Sequence, residues 1–418
     1  MISLKNGVLK IKYTPYERAK RFYEFSFLLN MVVIFALYKV AVVASLSAIL
    51  MFAASVIVMM ERNKQRIMIP YATIWFLVLI LFGALSGMWA KFLTAYNISF
   101  ISRLMIILLT TTSVSVYIDE RDDLERIMSM FLCGAVIIAL LEFSAVPSDG
   151  WKLGSVGHYF SGNNPNDITL WMDFAMIIAF YRAYINNKKS MYLIAIMMLI
   201  FCAFSSSRKG LLAAIAGPLM IVFLSVRKRS YPLRIALAVI LSVLLIMLVM
   251  ENDLLYSAIG KRMDSMFDFL KGDQTDGSMG LRKYYISVAK EMFKESPLIG
   301  KGMGNFSRIL ATEYSGGYFY SHNNYWQILS ELGLIGFFIY YSMYAYCMIS
   351  FLKSYFTFRS KLSVLFLTAL TMMFALDSGI ISYCSKYAQL VLSIIISATY
   401  SLRNGVNSNY ISADAYRR

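Results

Sequence analysis

The run Ser321-His322-Asn323-Asn324-Tyr325 follows the only long polar stretch of an otherwise apolar chain, and Gln327, Glu331, Gly333 and Gly336 come after it. An imidazole, with an unperturbed pKa of roughly 6.5, can accept or give a proton near neutrality. The chain holds two histidines, and the other, His158, lies in a shorter loop, so His322 is the candidate general base. On a helix beyond it, Asn324, Gln327 and Glu331 fall at i, i+3 and i+7, a polar stripe suited to lining a cavity. Glu331 reads either as a paired structural carboxylate or as a contact to a hydroxylated ligand. Gly333 and Gly336 let another helix approach closely. Tyr314, Tyr318, Phe319, Tyr320, Tyr325 and Trp326 surround the histidine as stacking surfaces for sugar rings or as loop core and interfacial anchors. Tyr320, Asn323, Asn324, Tyr325, Gln327 and Glu331 are the candidate substrate contacts.

Three arginines supply the complementary chemistry. Arg208 stands in Ser205-Ser206-Ser207-Arg208-Lys209-Gly210 at an expected membrane boundary, where a charge snorkels, pairs or serves a site. Arg282 opens an amphipathic helix, whose free amides already favour an anion. Arg262 is a third outer-side cation, with a solvated loop face as its plain alternative. Guanidinium forks facing one compartment can grip a diphosphate through several charge-assisted hydrogen bonds.

The elements that must position these groups are written in the composition. Of 418 residues 59% are hydrophobic and 15% charged, against roughly 25% charged in a soluble domain, and mean hydropathy is +0.61. The chain is expected to be an all-α polytopic membrane protein. Its long unbroken apolar runs exclude a β-barrel. Twelve spans are predicted near 25–39, 40–60, 68–88, 98–117, 127–146, 166–184, 191–206, 209–226, 233–250, 324–352, 362–378 and 382–402. A basic cytoplasmic arm, 1–24, precedes them without a cleavage site, and a disordered cytoplasmic tail, 403–418, follows. Lys and Arg concentrate in the turns this topology places inside, which accounts for the net charge of +16 without nucleic acid.

One connection, 251–323, is far longer than helix–helix loops usually are and reads as a folded lid. Within it Leu281, Tyr284, Tyr285, Val288 and Met292 share a helical face that could rest on the bilayer. Gly300-Lys301-Gly302-Met303-Gly304 lacks the Lys-Ser/Thr and strand context of a phosphate loop and reads as a turn. Asp273-Gln274-Thr275-Asp276 reads as an acidic turn, and Cys133, Cys202, Cys347 and Cys384 sit in or beside apolar runs, so neither metal nor cofactor is called for.

These pieces, in this order, resemble the O-antigen ligase and O-antigen polymerase superfamily of bacterial envelope glycosyltransferases. The likeness rests on Ser207-Arg208, Gly280-Leu281-Arg282, Pro297 to Gly302, and His322-Asn323 followed by Gly333-Leu334-Ile335-Gly336. The segment from Gly157-His158 through Asn163-Asn164-Pro165-Asn166 resembles an upstream loop of the same group. The resemblance implies the C-type glycosyltransferase architecture with one long periplasmic loop, and an undecaprenyl diphosphate-linked oligosaccharide as donor and acceptor on the outer face of the inner membrane. It also implies His322 as the essential loop histidine, with Arg208 and Arg282 on the diphosphate. Ligases often carry a second histidine just before this motif. Tyr318-Phe319-Tyr320-Ser321 stands there instead, which favours a polymerase.

A ligase moving the finished chain onto lipid A-core is the nearest rival. A metal-dependent enzyme using polyprenyl monophosphate donors would want an acidic first outer loop, where Tyr38-Lys39 stands. A lipid-linked oligosaccharide flippase is the alternative from another class, and Asp173 inside an apolar run is the residue it would claim. Besides substrate and bilayer, a chain-length regulator is the one partner for which the polymerase reading leaves room.

Overall fold

The computed structural model describes residues 2–5, 8–11, 13–37, 40–62, 69–92, 95–152, 156–160, 162, 164–205, 207–225 and 277–415. The expected span 233–250, Arg262 and the Asp273–Asp276 turn lie outside these residues. Each of the other expected spans has a helix. In chain order the helices are α1 (Pro15–Ala36), α2 (Ala41–Glu61), α3 (Tyr71–Leu85), α4 (Ala95–Tyr117), α5 (Arg121–Ala145), the short α6 (Ser148–Lys152), α7 (Pro165–Tyr184), α8 (Met191–Phe204) and α9 (Arg208–Ser225). After the long connection come α10 (Gly277–Glu295), α11 (Phe306–Glu313), α12 (Asn324–Phe358), α13 (Lys361–Leu376) and α14 (Lys386–Ala415).

Six helical segments among the described residues are long and apolar enough to cross a membrane, and Met191–Phe204 and Lys361–Leu376 are shorter apolar helices. The protein is a helical, polytopic membrane protein. Local chemistry starts α1 ahead of its apolar run: Thr14 caps it, Pro15 occupies the first turn, and Glu17 closes a capping box back onto Thr14. The first helix therefore begins ten residues before the expected 25.

The axis of the bundle is α14, which packs against α4, α5, α7, α12 and α13. Ala388, Leu390, Val391, Leu392, Ile394, Ile395 and Ile396 are all buried, as a helix apolar on every side must be. Lys20 pairs with Asp123, Arg62 reaches Asp123 at 3.7 Å, and Arg182 reaches Glu125 at 2.8 Å, tying α1, α2, α5 and α7 together at one end. The His322 motif lies at the other.

Within the basic arm Ile2–Lys5 and Val8–Ile11 pair as antiparallel strands, with Lys5 opposite Val8. Two expectations change. At the other terminus α14 runs on to Ala415, beyond the residue 402 at which falling hydropathy predicts a disordered tail. The apolar face of α10, expected on the bilayer, is covered by protein in part: Tyr285, Val288, Ala289 and Met292 pack on Phe306, Ile309 and Leu310 of α11, while Leu281 and Tyr284 stay exposed.

The glycines of α12 are also used differently. Gly333 has φ 64° and ψ −163° and breaks the helix. Into the break comes the 297–302 loop, not another helix. Lys301 and Gly302 N–H donate to the carbonyls of Ser330 and Glu331, while Leu334 and Ile335 N–H donate to Pro297 and Leu298, at 2.8–3.1 Å. A Cβ on Gly333 would meet the Leu298 carbonyl at 2.4 Å, and one on Gly300 would meet the Glu331 carbonyl carbon at 2.3 Å. Gly333→Ala should therefore destabilise by about 3 kcal/mol or more, through positive-φ strain and backbone collision. Gly280→Ala, whose Cβ would meet nothing within 4 Å, should be silent. Unfolding temperatures of the two variants in one detergent check the pair.

Candidate functional site

His322 sits between the 277–320 segment and the start of α12, with φ 56°. Such a left-handed residue persists only where its neighbours hold it. Here Ser321 N–H donates to Gln327 Oε1 at 2.8 Å, Ser321 Oγ donates to the Asn323 carbonyl at 2.8 Å, and Asn323 Oδ1 caps α12 by accepting from Trp326 N–H at 3.1 Å. Tyr285 stacks on the imidazole with centroids 6.2 Å apart, and Tyr320 lies 4.2 Å away. Phe319 stacks in turn on Tyr285.

Partial burial, then the positive charges of Arg282 and Lys209, lower the His322 pKa to about 4. The ring is neutral at physiological pH. It is free to accept a proton but holds one weakly, and an anion bound beside those cations would bring its pKa back towards the near-neutral value at which a general base works best. Lys209, absent from the sequence-derived candidates, is thus part of the histidine's surroundings. Its side chain lies against Gly379, which reaches the site from the α13–α14 connection.

Ser207 Oγ accepts from Gly210 N–H at 3.1 Å, the geometry of an N-cap for α9, and donates to Asn166 Oδ1 at 2.8 Å. Asn164 caps α7 through Asn166 N–H and donates to the Tyr320 hydroxyl at 3.3 Å. The Ser-Arg element, the Asn-Pro-Asn loop and the residues before the histidine are so linked by the hydrogen-bonded side chains of Ser207, Asn166, Asn164 and Tyr320. Arg208 is the first residue of α9 and arrives at this end with Ser207.

Below them lies a cavity of about 530 Å³. Tyr320, Gln327 and Glu331 line it, as the polar stripe predicts, together with Asn164, Asn166 and Asp167 from the start of α7. Arg103, Tyr383 and Lys386 line it as well, and sequence reasoning missed all three. Arg103 was hidden inside a predicted span and Lys386 inside the last one. Glu331 is buried with both oxygens engaged: Oε1 accepts from Phe306 N–H at 3.1 Å and from Gln327 Nε2 at 2.8 Å, and Oε2 accepts from the Tyr383 hydroxyl. It is a carboxylate held by three donors that also forms part of the cavity wall.

Asn324 does not join the stripe at the cavity. Its amide donates to the Tyr341 hydroxyl at 2.9 Å and accepts from Ser382 and Tyr383 N–H at 3.0 and 3.1 Å, holding the 377–383 connection in place. Asn323 reaches the same connection at the Ser378 carbonyl. Tyr325 stacks on Tyr341 and donates to the Phe374 carbonyl. Asp173, buried in α7, accepts from Cys202 Sγ at 3.4 Å and is not among the residues lining this cavity. Among the described residues no group of three His, Cys, Asp or Glu could hold a metal ion.

Residues 193–341 match the family described as O-Antigen ligase, a segment containing Arg208, Arg282 and His322 but neither Arg103 nor Lys386. A search of curated proteins returned no match. If Arg282 helps to hold His322 neutral, Arg282→Gln should raise its titration midpoint from about 4 towards 6.5. NMR of labelled imidazole in a His158→Gln background reads the shift.

Proposed function

We propose, from the chain's place in the O-antigen ligase and polymerase superfamily, that it lengthens a lipid-linked polysaccharide at the outer face of a bacterial inner membrane. The growing glycan leaves undecaprenyl diphosphate and joins a sugar hydroxyl of a new lipid-linked repeat unit. The observation that carries the reading is a histidine held neutral by partial burial and by two neighbouring cations, with Tyr320 beside it opening onto a polar cavity. A neutral imidazole amid positive charge suits a hydroxyl acceptor and a diphosphate leaving group at once.

His322 takes the proton of the acceptor hydroxyl as its oxygen attacks the anomeric carbon of the donor. The carbon–oxygen bond to the diphosphate breaks with inversion. Charge then grows on the departing diphosphate, where Arg208 and Arg282 stabilise it, with Lys209 adding a point charge. A diphosphate neutralised in this way leaves without a general acid, and the step needs no metal. Tyr320 and the α7 amides Asn164 and Asn166 offer the ring face and hydrogen bonds that sugars take. Transfer onto lipid A-core is the second reading, kept because the matching family is described as a ligase.

Loss of a general base typically slows a step about 10²- to 10⁴-fold, so His322→Ala should nearly abolish polymer while the protein remains in the membrane. Normal polymer ladders from this variant would remove the histidine from the mechanism. Arg208→Lys keeps the charge and loses the fork, and should cut turnover. Unchanged turnover would reduce Arg208 to an anchor. Membranes given diphosphate-linked repeat units and no core acceptor should lengthen them; a ligase would leave them at their starting size.

A further inference from the structure

Lys386 is the first residue of α14, the most enclosed helix of the bundle. Helix amino ends already carry partial positive charge, so a lysine there meets an unfavourable field, and cations normally gather at the opposite end. Arg103 of α4 lines the same cavity, close enough for the two charges to repel. Among the described residues neither has a carboxylate oxygen within ion-pair distance. Of the two carboxylates that line the cavity, Glu331 has both oxygens committed elsewhere, and Asp167, at the start of α7, makes an ion pair with neither cation. Three positive features thus share one cavity without an ion-paired acid.

The surroundings say what kind of anion would relieve them. Ile34, Ala41 and Phe100 line the cavity beside this pair. An anion held by the pair would have these apolar side chains and the Asn164, Asn166 and Tyr320 side chains of the same cavity around it, surroundings that fit a glycan-bearing lipid phosphate.

We propose that Arg103, Lys386 and the amino end of α14 form a second lipid-phosphate site, separate from the Arg208–Lys209–Arg282 group around His322, which holds the diphosphate of the acceptor while its sugars extend through the cavity. The assignment rests on the polymerase reading, since elongation brings two polyprenyl diphosphates to one chain whereas transfer to a core brings one. It also gives the site a direction. Donor phosphate lies by the histidine and acceptor phosphate at the far wall.

The test uses the full chain in phosphatidylcholine nanodiscs, titrated calorimetrically with farnesyl diphosphate. Wild type should take two equivalents. The double variant Arg103→Gln with Lys386→Gln should lose one, weakened at least tenfold, and Arg282→Gln should lose the other. Should the double variant misfold, Arg103→Gln alone should weaken one site at least threefold, and Arg103→Lys should restore most of it. A double variant, or a folded single variant, that titrates like wild type overturns the assignment. So does a wild type holding one equivalent that Arg282→Gln alone removes. Inorganic pyrophosphate binding there as tightly as farnesyl diphosphate, or phosphatidylglycerol displacing it, overturns the polyprenyl ligand in favour of a bare diphosphate or a bilayer headgroup. Loss of the Arg103–Lys386 equivalent with Arg282→Gln unchanged supports the second site and removes the donor clamp proposed above, so the two readings fail separately.

Discussion

A helix that unwinds inside an apolar body exposes amide and carbonyl groups that no water reaches, and each must find a protein partner. In α12 this happens at Gly333, and the 297–302 loop supplies all the replacements: two donors to Ser330 and Glu331, two acceptors for Leu334 and Ile335. Everything around the histidine depends on that graft. It fixes Pro297 to Gly302 against α12, and Met303 then bonds Ser86 while Asn305 accepts from Phe92, so the loop is pinned to the end of α3 as well. Glu331, one residue pair before the break, collects Phe306, Gln327 and Tyr383, and Gln327 in turn holds Ser321. The orientation of His322 is the last link of a chain that begins at a glycine eleven residues away.

Charge is handled oppositely at the two ends of the bundle. At one end Lys20, Arg62, Arg126 and Arg182 meet Asp123, Glu24 and Glu125, and the pairs lock helices together. At the other, Arg208 and Lys209 open α9 and Lys386 opens α14, all at helix amino ends where cations are least favoured. Arrangements that work against stability in the empty protein are the ones an anionic ligand rewards. Burial and then the same field lower the pKa of the imidazole, so the groups suited to a diphosphate also bear on the protonation of the base.

Hydropathy located the helices well because burial in lipid or protein imposes one rule on every residue of a span. It misjudged the ends, since capping by Thr14 and Pro15 and the continuation of α14 depend on local hydrogen bonding that hydropathy does not report. The amphipathic pattern of α10 was legible, but its partner was not: the same face would suit a bilayer or the α11 side chains that cover part of it. Gly333 and Gly336 read as a helix–helix contact because small residues look alike in sequence, whether they admit a neighbour or a turn.

The residue types and their order were enough to indicate a membrane-embedded helical chain with a histidine, arginines and a polar stripe at one end. That much follows from composition, periodicity and motif spacing alone. Only the tertiary structure decided that Asn324 faces the 377–383 connection while Gln327 and Glu331 face a cavity, that Lys209 stands by His322, and that Arg103 and Lys386 share a wall. The reason is physical: a break at Gly333 and the crossing of α4 with α14 set side-chain directions by packing, and residues 283 positions apart carry no local signal of the contact they will make.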